Sequence, residues 1–380
     1  MQLLKKIYFI LSLFVGLNCL TSFTAEVNIP SLQLNSQVVY DDSADIYTVQ
    51  SMGEMDMQIS GGYKFGGNVI LGFNSDNLEE DFNTSNAGFI FKSATIAIRD
   101  IRGLPLSLAF FIGETDIMCS GDGFSNYFGI DPIITTYSGF AYFSEGIVYD
   151  GIHMINGTGI QTSFLPLKDT LSFFLYMYQD AHFDAAGKYS VDFRTMLNLK
   201  RFKLDFFLGT TIPAGDIGYY RLGLLLHGAY GPGEFLTQFG ITRWDPLNDP
   251  FGINLFYILF EMKLSFGILM VTPSFFFYPS YYNQQLTNEE GKVDFNLNLL
   301  FGDLGKQLIS GGLEGNFSIN TDSQDNILDN LSITASPFVN LITSGVLWEF
   351  KIGIKLFDNP SPYDNIPTMF SGLIGIKAEF

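Results

Sequence analysis

The sequence predicts an all-β protein, an antiparallel up-and-down transmembrane β-barrel of about 16–18 strands. Three observations carry this reading. Apolar and polar residues alternate with a period of two over stretches of about ten residues, the signature of a strand with two unlike faces. Short and long links alternate between those stretches. The chain of 380 residues is 47% hydrophobic and 16% aromatic, with 39 Phe and only 16% charged residues. Strands of a soluble sandwich run to about five or six residues. Strands of about ten suit a tilted crossing of a hydrocarbon layer.

Met1–Ala25 reads as a secretory leader. Lys5 and Lys6 precede the apolar run Ile7–Leu17, and small polar residues follow. The run is too short for a transmembrane helix, and it has the layout of a cleaved signal. Cleavage is expected after Ala25, with Ser22 the alternative and lipoprotein processing through Cys19 a further one. Residues 26–53 read as an N-terminal arm or the first strands, and 54–380 as the barrel. Loss of Lys5 and Lys6 takes the formal net charge from −19 to −21. That acidity excludes a nucleic-acid partner, which needs a basic surface. Cys19 leaves with the leader, so Cys119 remains without a cysteine partner, and no disulfide or cysteine-based zinc site is expected.

Four stretches show the alternation clearly. Val191, Phe193, Leu197 and Leu199 oppose Asp192, Arg194, Asn198 and Lys200. Val293, Phe295, Leu297 and Leu299 oppose Lys292, Asp294, Asn296 and Asn298. Ile309, Leu313, Phe317 and Ile319 oppose Ser310, Glu314, Asn316 and Ser318. Val346, Trp348, Phe350, Ile352, Ile354 and Leu356 oppose Glu349, Lys351 and Lys355. In Ile253–Phe260 and Gly267–Tyr278 both faces are apolar. Short links are expected near Phe65–Gly67, Asp100–Gly103, Pro166–Asp169, Lys200–Arg201, Gly231–Gly233, Met262–Leu264, Asp303–Gln307 and Thr343–Gly345. Longer polar links fall between them, and Glu114–Gly151 is the longest. A long link without its own secondary structure is usually functional or disordered.

By strand parity, the residues expected to line a pore are Asp192, Arg194, Lys203, Asp205, Lys292, Asp294, Glu314, Glu349, Lys351 and Lys355, with Glu54, Asp56 and Lys64 in a less regular region. Charged groups on such a wall set ion preference. Both signs are present, so strong selectivity does not follow. The acidic runs Asp76–Asp81 and Asp322–Asp329 read as solvated loop surface, and neither has the spacing of a calcium loop.

The last strand carries the most specific signal. Phe370, Gly372, Ile374, Ile376, Ala378 and Phe380 share one face, while Ser371, Gly375, Lys377 and Glu379 share the other, with Leu373 as exception. This ending resembles the C-terminal strand of bacterial outer-membrane β-barrel proteins. The resemblance implies that Phe370, Ile374, Ile376 and Phe380 form the lipid face that the barrel-assembly machinery reads. It further implies the bacterial outer membrane as location, outer-membrane lipid and lipopolysaccharide as surroundings, and a possible homo-oligomer. For function it implies a porin-like channel for passive diffusion of small hydrophilic solutes or ions, with Glu114–Gly151 as candidate constriction loop. Two alternatives stay open: a fatty-acid or hydrophobic-compound transporter with an N-terminal plug, and a structural or adhesive surface barrel. Neither cofactor nor metal is expected. Catalysis is not expected, since no nucleophile elbow, phosphate loop or paired-histidine motif occurs. Asp180, His182 and Asp184 share one link but complete no catalytic set.

Overall fold

A computed structural model describes residues 26–41, 45–61, 64–75, 88–130, 133, 135, 151–167, 169–181, 188–212, 218–248, 250–278, 292–302, 308–320, 330–358 and 365–379. The expected leader, His182, Asp184 and Phe380 lie outside the described residues. Eighteen strands form the wall: β1 (Glu26–Asp41), β2 (Ile46–Ser60), β3 (Phe65–Ser75), β4 (Gly88–Ile98), β5 (Leu106–Met118), β6 (His153–Leu167), β7 (Leu171–Asp180), β8 (Tyr189–Asn198), β9 (Phe202–Ile212), β10 (Tyr219–Tyr230), β11 (Gly233–Trp244), β12 (Phe256–Phe266), β13 (Leu269–Tyr278), β14 (Lys292–Phe301), β15 (Ile309–Asn320), β16 (Leu331–Thr343), β17 (Val346–Phe357) and β18 (Phe370–Glu379). One short helix, α1 (Asp122–Phe128), lies between β5 and β6.

Each strand pairs antiparallel with its neighbour in sequence, and β18 pairs with β1 to close the barrel. Closure satisfies the backbone groups of every strand and leaves no edge, which a lipid environment requires. Residues 26–41 and 46–53 of the expected arm are therefore wall, the reading as first strands. Leu32 and Leu34 alternate with Gln33, Asn35 and Gln37, and β1 joins β18 to β2. The plug needed by a hydrophobic-compound transporter is not formed by these residues.

The two faces differ as lipid and polar interior demand. Outward residues such as Leu34, Phe110, Leu208, Phe295, Val339 and Ile352 are exposed, while inward Asp192, Arg194, Asp205, Gln238 and Asn296 are buried. Around the loop end of β10–β12 the outer surface carries a chain of aromatic contacts, Tyr220 to Trp244 at 6.4 Å, Trp244 to Phe251 at 5.4 Å and Phe251 to Phe256 at 5.8 Å. Such girdles sit where lipid headgroups begin.

Even-to-odd links, as between β2 and β3, gather at the end that carries the start of β1 and the finish of β18, here the turn end. Ser344 and Gly345 join β16 to β17 with φ of 52° and 82°, the paired positive φ of a tight hairpin. Two turns differ from the sequence expectation. Phe65–Gly67 opens β3 rather than turning, since β2 ends at Ser60 and β3 begins at Phe65. Met262–Leu264 is strand, because β12 runs on to Phe266 and the chain reverses at Gly267 with φ of 67°. Apolar residues on both faces of Phe256–Phe260, with Tyr257 and Leu259 buried inward, hid the alternation that continues beyond them: Met262 and Leu264 face out, Glu261 and Lys263 in.

Candidate functional site in the barrel lumen

The inward face is polar and heavily charged, and the segment after β5 folds onto it. β5 continues to Met118, so the link proper starts at Cys119 rather than Glu114. A bulge between Glu114 and Asp116 shifts the parity of the strand. Gly113 and Asp116 therefore both face inward, where regular alternation would have chosen Thr115. Bulges re-aim side chains in this way.

Arg194 on β8 stands at the centre of the loop's attachment. It holds Asp205 of β9 through Nε and Nη2, with Nη2 to Oδ2 at 2.6 Å, and both oxygens of Asp116 through Nη1 at 2.9 Å. Asp116 also accepts from Tyr127 of α1 at 2.8 Å and from Tyr176 of β7. Gln161 of β6 donates to both tyrosine hydroxyls, at 2.9 and 3.0 Å. Gly123 of α1 sits over the guanidinium, where a Cβ would stand 2.3 Å from Nη2. The loop is thus held to the wall by charge-assisted hydrogen bonds, the strong kind.

Further latches extend around the wall. The Cys119 backbone N–H donates to Asp205 Oδ2 at 3.0 Å, and Gln238 of β11 donates to the Cys119 carbonyl at 2.7 Å. Tyr257 of β12 orients Gln238 from 2.9 Å. Thr135 donates to Glu261 of β12 at 2.9 Å, and Ser274 of β13 donates to the same carboxylate oxygen at 3.1 Å. Phe111, Met118, Phe124, Phe174, Phe207, Leu236, Tyr257 and Phe276 pack in the same buried cluster as the loop. Burial, aided by the neighbouring Asp205 carboxylate, pushes the Cys119 thiol well up from its ordinary pKa. Burial and Asp116 likewise push the Tyr127 hydroxyl above the ordinary tyrosine range. Both groups stay protonated at neutral pH, so Tyr127 remains a donor.

A second buried network lies beside the first. Arg221 of β10 holds both oxygens of Asp192, at 2.6 and 2.7 Å, and reaches Thr211 at 2.6 Å and the Tyr178 hydroxyl at 3.1 Å. Asp180 accepts from Ser190 at 2.5 Å at the foot of this network. Of the carboxylate–histidine link considered for catalysis, the described part is therefore a structural acceptor.

The expected lining residues fall on the inward face by register, but in unlike settings. Asp192, Arg194 and Asp205 are fully buried within these two networks. Lys203 faces in at the turn end, opposite Asn198 and His227. On the other side of the barrel, Lys351 meets Glu314 at 3.1 Å and Glu349 at 3.9 Å, and Asn298 donates to Glu314 at 3.3 Å. Asp294 is buried on β14, and Lys355 pairs with Asp358 at 3.3 Å near the loop end. The Lys292 side chain lies outside the described residues. Phe370 and Ile374 face outward and exposed, Ile376 shares that face, and Leu373 is buried inside. Parity reasoning passed over Asp116, Tyr127, Tyr176, Arg221, Gln238 and Glu261. Arg221 and Glu261 were open to the parity rule, whereas Asp116 was hidden by the bulge.

No protein-family model and no curated protein matches the chain. Among solved structures, a triple mutant of the Rhodopseudomonas blastica porin is similar at a TM-score of 0.49 and 9% identity, covering 94% of this chain and 100% of that one. Salmonella typhi OmpF in complex with daunomycin is similar at a TM-score of 0.49 and 9% identity, covering 95% and 99%. Independently of these likenesses, the closed even-numbered barrel, its apolar outer face and its division into turn end and loop end are features of the broad class of outer-membrane-type β-barrels.

Proposed function

We propose that the protein is an outer-membrane channel for passive diffusion of small hydrophilic solutes or ions, narrowed from within by the loop that follows β5. The observation that carries this reading is the division of the interior. The described loop residues latch to the wall between β5 and β12, as the bonds of Cys119, Tyr127 and Thr135 show. The wall from β14 through β18 and on to β4 presents a polar inward face, with Asp294, Asn296, Asn298, Glu314, Lys351, Glu54 and Lys92. A barrel of this strand number has room for an aqueous channel beside such a loop. The buried cluster of inward aromatic and aliphatic residues on β5 through β13 is packed with the loop, which speaks against a greasy transport path along that side.

Single-channel recording on the folded protein in planar bilayers tests the proposal. The intact barrel is expected to give ohmic steps in KCl, and deletion of residues 122–135 is expected to enlarge them. Silence from both forms, with folding shown by heat-dependent electrophoretic mobility, removes the channel reading.

A further inference from the structure

We propose that the turn-end mouth of the lumen holds a binding site for a small organic anion that also carries a hydroxyl or ammonium group. A cavity of about 540 Å³ opens there between Ile130 of the loop and the links that join β6 to β7 and β8 to β9. Its polar lining is Asp169, Thr170, Asn198, Lys200 and Lys203. This volume is within the range of small-molecule sites, roughly 300–1,000 Å³.

The charge pattern of the interior marks this cavity as unusual. Five other inward cations have carboxylates at hand: Lys92 has Glu54 at 2.7 Å, Arg194 has Asp205 at 2.6 Å, Arg221 has Asp192 at 2.6 Å, Lys351 has Glu314 at 3.1 Å and Lys263 has Glu261 at 3.6 Å. Lys203 on the inward face, and Lys200 exposed in the link between β8 and β9, differ from these. Among the described residues no carboxylate comes within ion-pair distance of either, although both line the cavity. Lys203 is half-buried and faces His227 across the β9–β10 pair, so the nearest titratable side chain in the register adds no negative charge.

Two ammonium groups around one cavity suit a carboxylate or phosphate, since charge-assisted hydrogen bonds are about twice as strong as neutral ones. The rim is fixed. Asn198 Nδ2 donates to the Asp169 carbonyl at 3.1 Å, and the Asn198 N–H donates to the Thr170 carbonyl at 2.7 Å. The Asp169 carboxylate and Thr170 hydroxyl on that rim suit a ligand with donors of its own, such as a hydroxy acid or amino acid. Ile130 covers the site from the loop side.

Binding needs no current, so the site rests on the channel reading only for how its ligand arrives. Gluconate and glucose, which share a carbon skeleton and differ in charge, are the probes. Equilibrium dialysis with the full folded chain at low salt is expected to show gluconate bound and glucose not bound. The pair Lys200→Gln with Lys203→Gln is expected to weaken gluconate at least tenfold while the barrel stays folded. Gluconate binding unchanged in that variant, or absent in the wild type, overturns the proposal. Conductance without gluconate binding removes the site and leaves the channel. Gluconate binding without conductance does the reverse.

Discussion

Arg194 is fully buried with two aspartates, so its contribution depends on what replaces it. A buried ion pair gains little over well-packed apolar residues, but removing one partner strands the rest in a dry interior. Arg194→Met leaves Asp116 and Asp205 facing the gap, and it is expected to cost about 3–5 kcal/mol of barrel stability in denaturant-driven unfolding. Adding Asp116→Leu and Asp205→Leu removes the stranded charges and is expected to recover most of that loss. If the triple variant is no more stable than Arg194→Met, burial of unpaired carboxylate is not the source of the effect. Tyr127 extends the same argument to pH. Its pKa is raised by burial first and Asp116 second, so its contribution is fully present below the ordinary tyrosine value. That contribution is lost as pH rises from there towards the folded value.

At the scale of the element, the loop is fastened at its root and pinned along its length. Cys119 takes a left-handed φ of 56° and Gly151 a φ of 116°, while the Ile152 N–H donates to the Met118 carbonyl at 2.9 Å to clasp the two ends. A Cβ on Gly121 would stand 1.6 Å from the Ile133 carbonyl oxygen, so the chain crosses itself there with no space to spare. Cys119 reports on this fastening, because its thiol is buried and held protonated. It is expected to resist thiol reagents in the folded wild type. In Gly121→Ala, and in Gln238→Leu, labelling is expected to speed up while the barrel remains closed to denaturing detergent. Equal labelling in all three would mean that these contacts do not hold the loop. The same element shows where sequence reasoning stops. Lipid on one side and polar interior on the other impose a period of two, which makes the strands readable and sorts Asp192, Arg194 and Asp205 onto one face. The rule fails at Asp116, where the bulge slips parity by one, and in Phe256–Phe260, where Tyr257 and Leu259 make the inward face as apolar as the outward one. It says nothing of the latches, since Gln238 meets Cys119 across 119 positions and Thr135 meets Glu261 across 126. No local pattern encodes contacts that only barrel closure brings together.

Over the whole molecule, charge is divided between the two ends. The sequence has acidic residues in every link at the loop end, from Asp42 and Asp45 to Asp358 and Asp364, and Lys188 is the single cation of those links. The links at the turn end carry Lys64, Arg99, Arg102, Lys168, Lys200, Arg201 and Lys306 against Asp100, Asp169 and Asp303. An acidic mouth concentrates cations and a basic mouth concentrates anions, and low-dielectric walls focus both fields into the lumen. With the loop side positive, each ion enters through the mouth that enriches it, and carriers accumulate inside. With the polarity reversed, each must enter through the mouth that repels it. The current at a given voltage is therefore expected to be larger when the loop side is positive, by about twofold at 0.1 M KCl, where the Debye length of about 10 Å spans much of a mouth. The ratio should fall towards one at 1 M, where that length shrinks to about 3 Å. Replacing Lys64, Lys200 and Arg201 with Gln should reduce the asymmetry at low salt without closing the channel. A symmetric current at low salt would show that the end-to-end division of charge does not reach the conducting path, and that the inward pairs of the wall set the field alone.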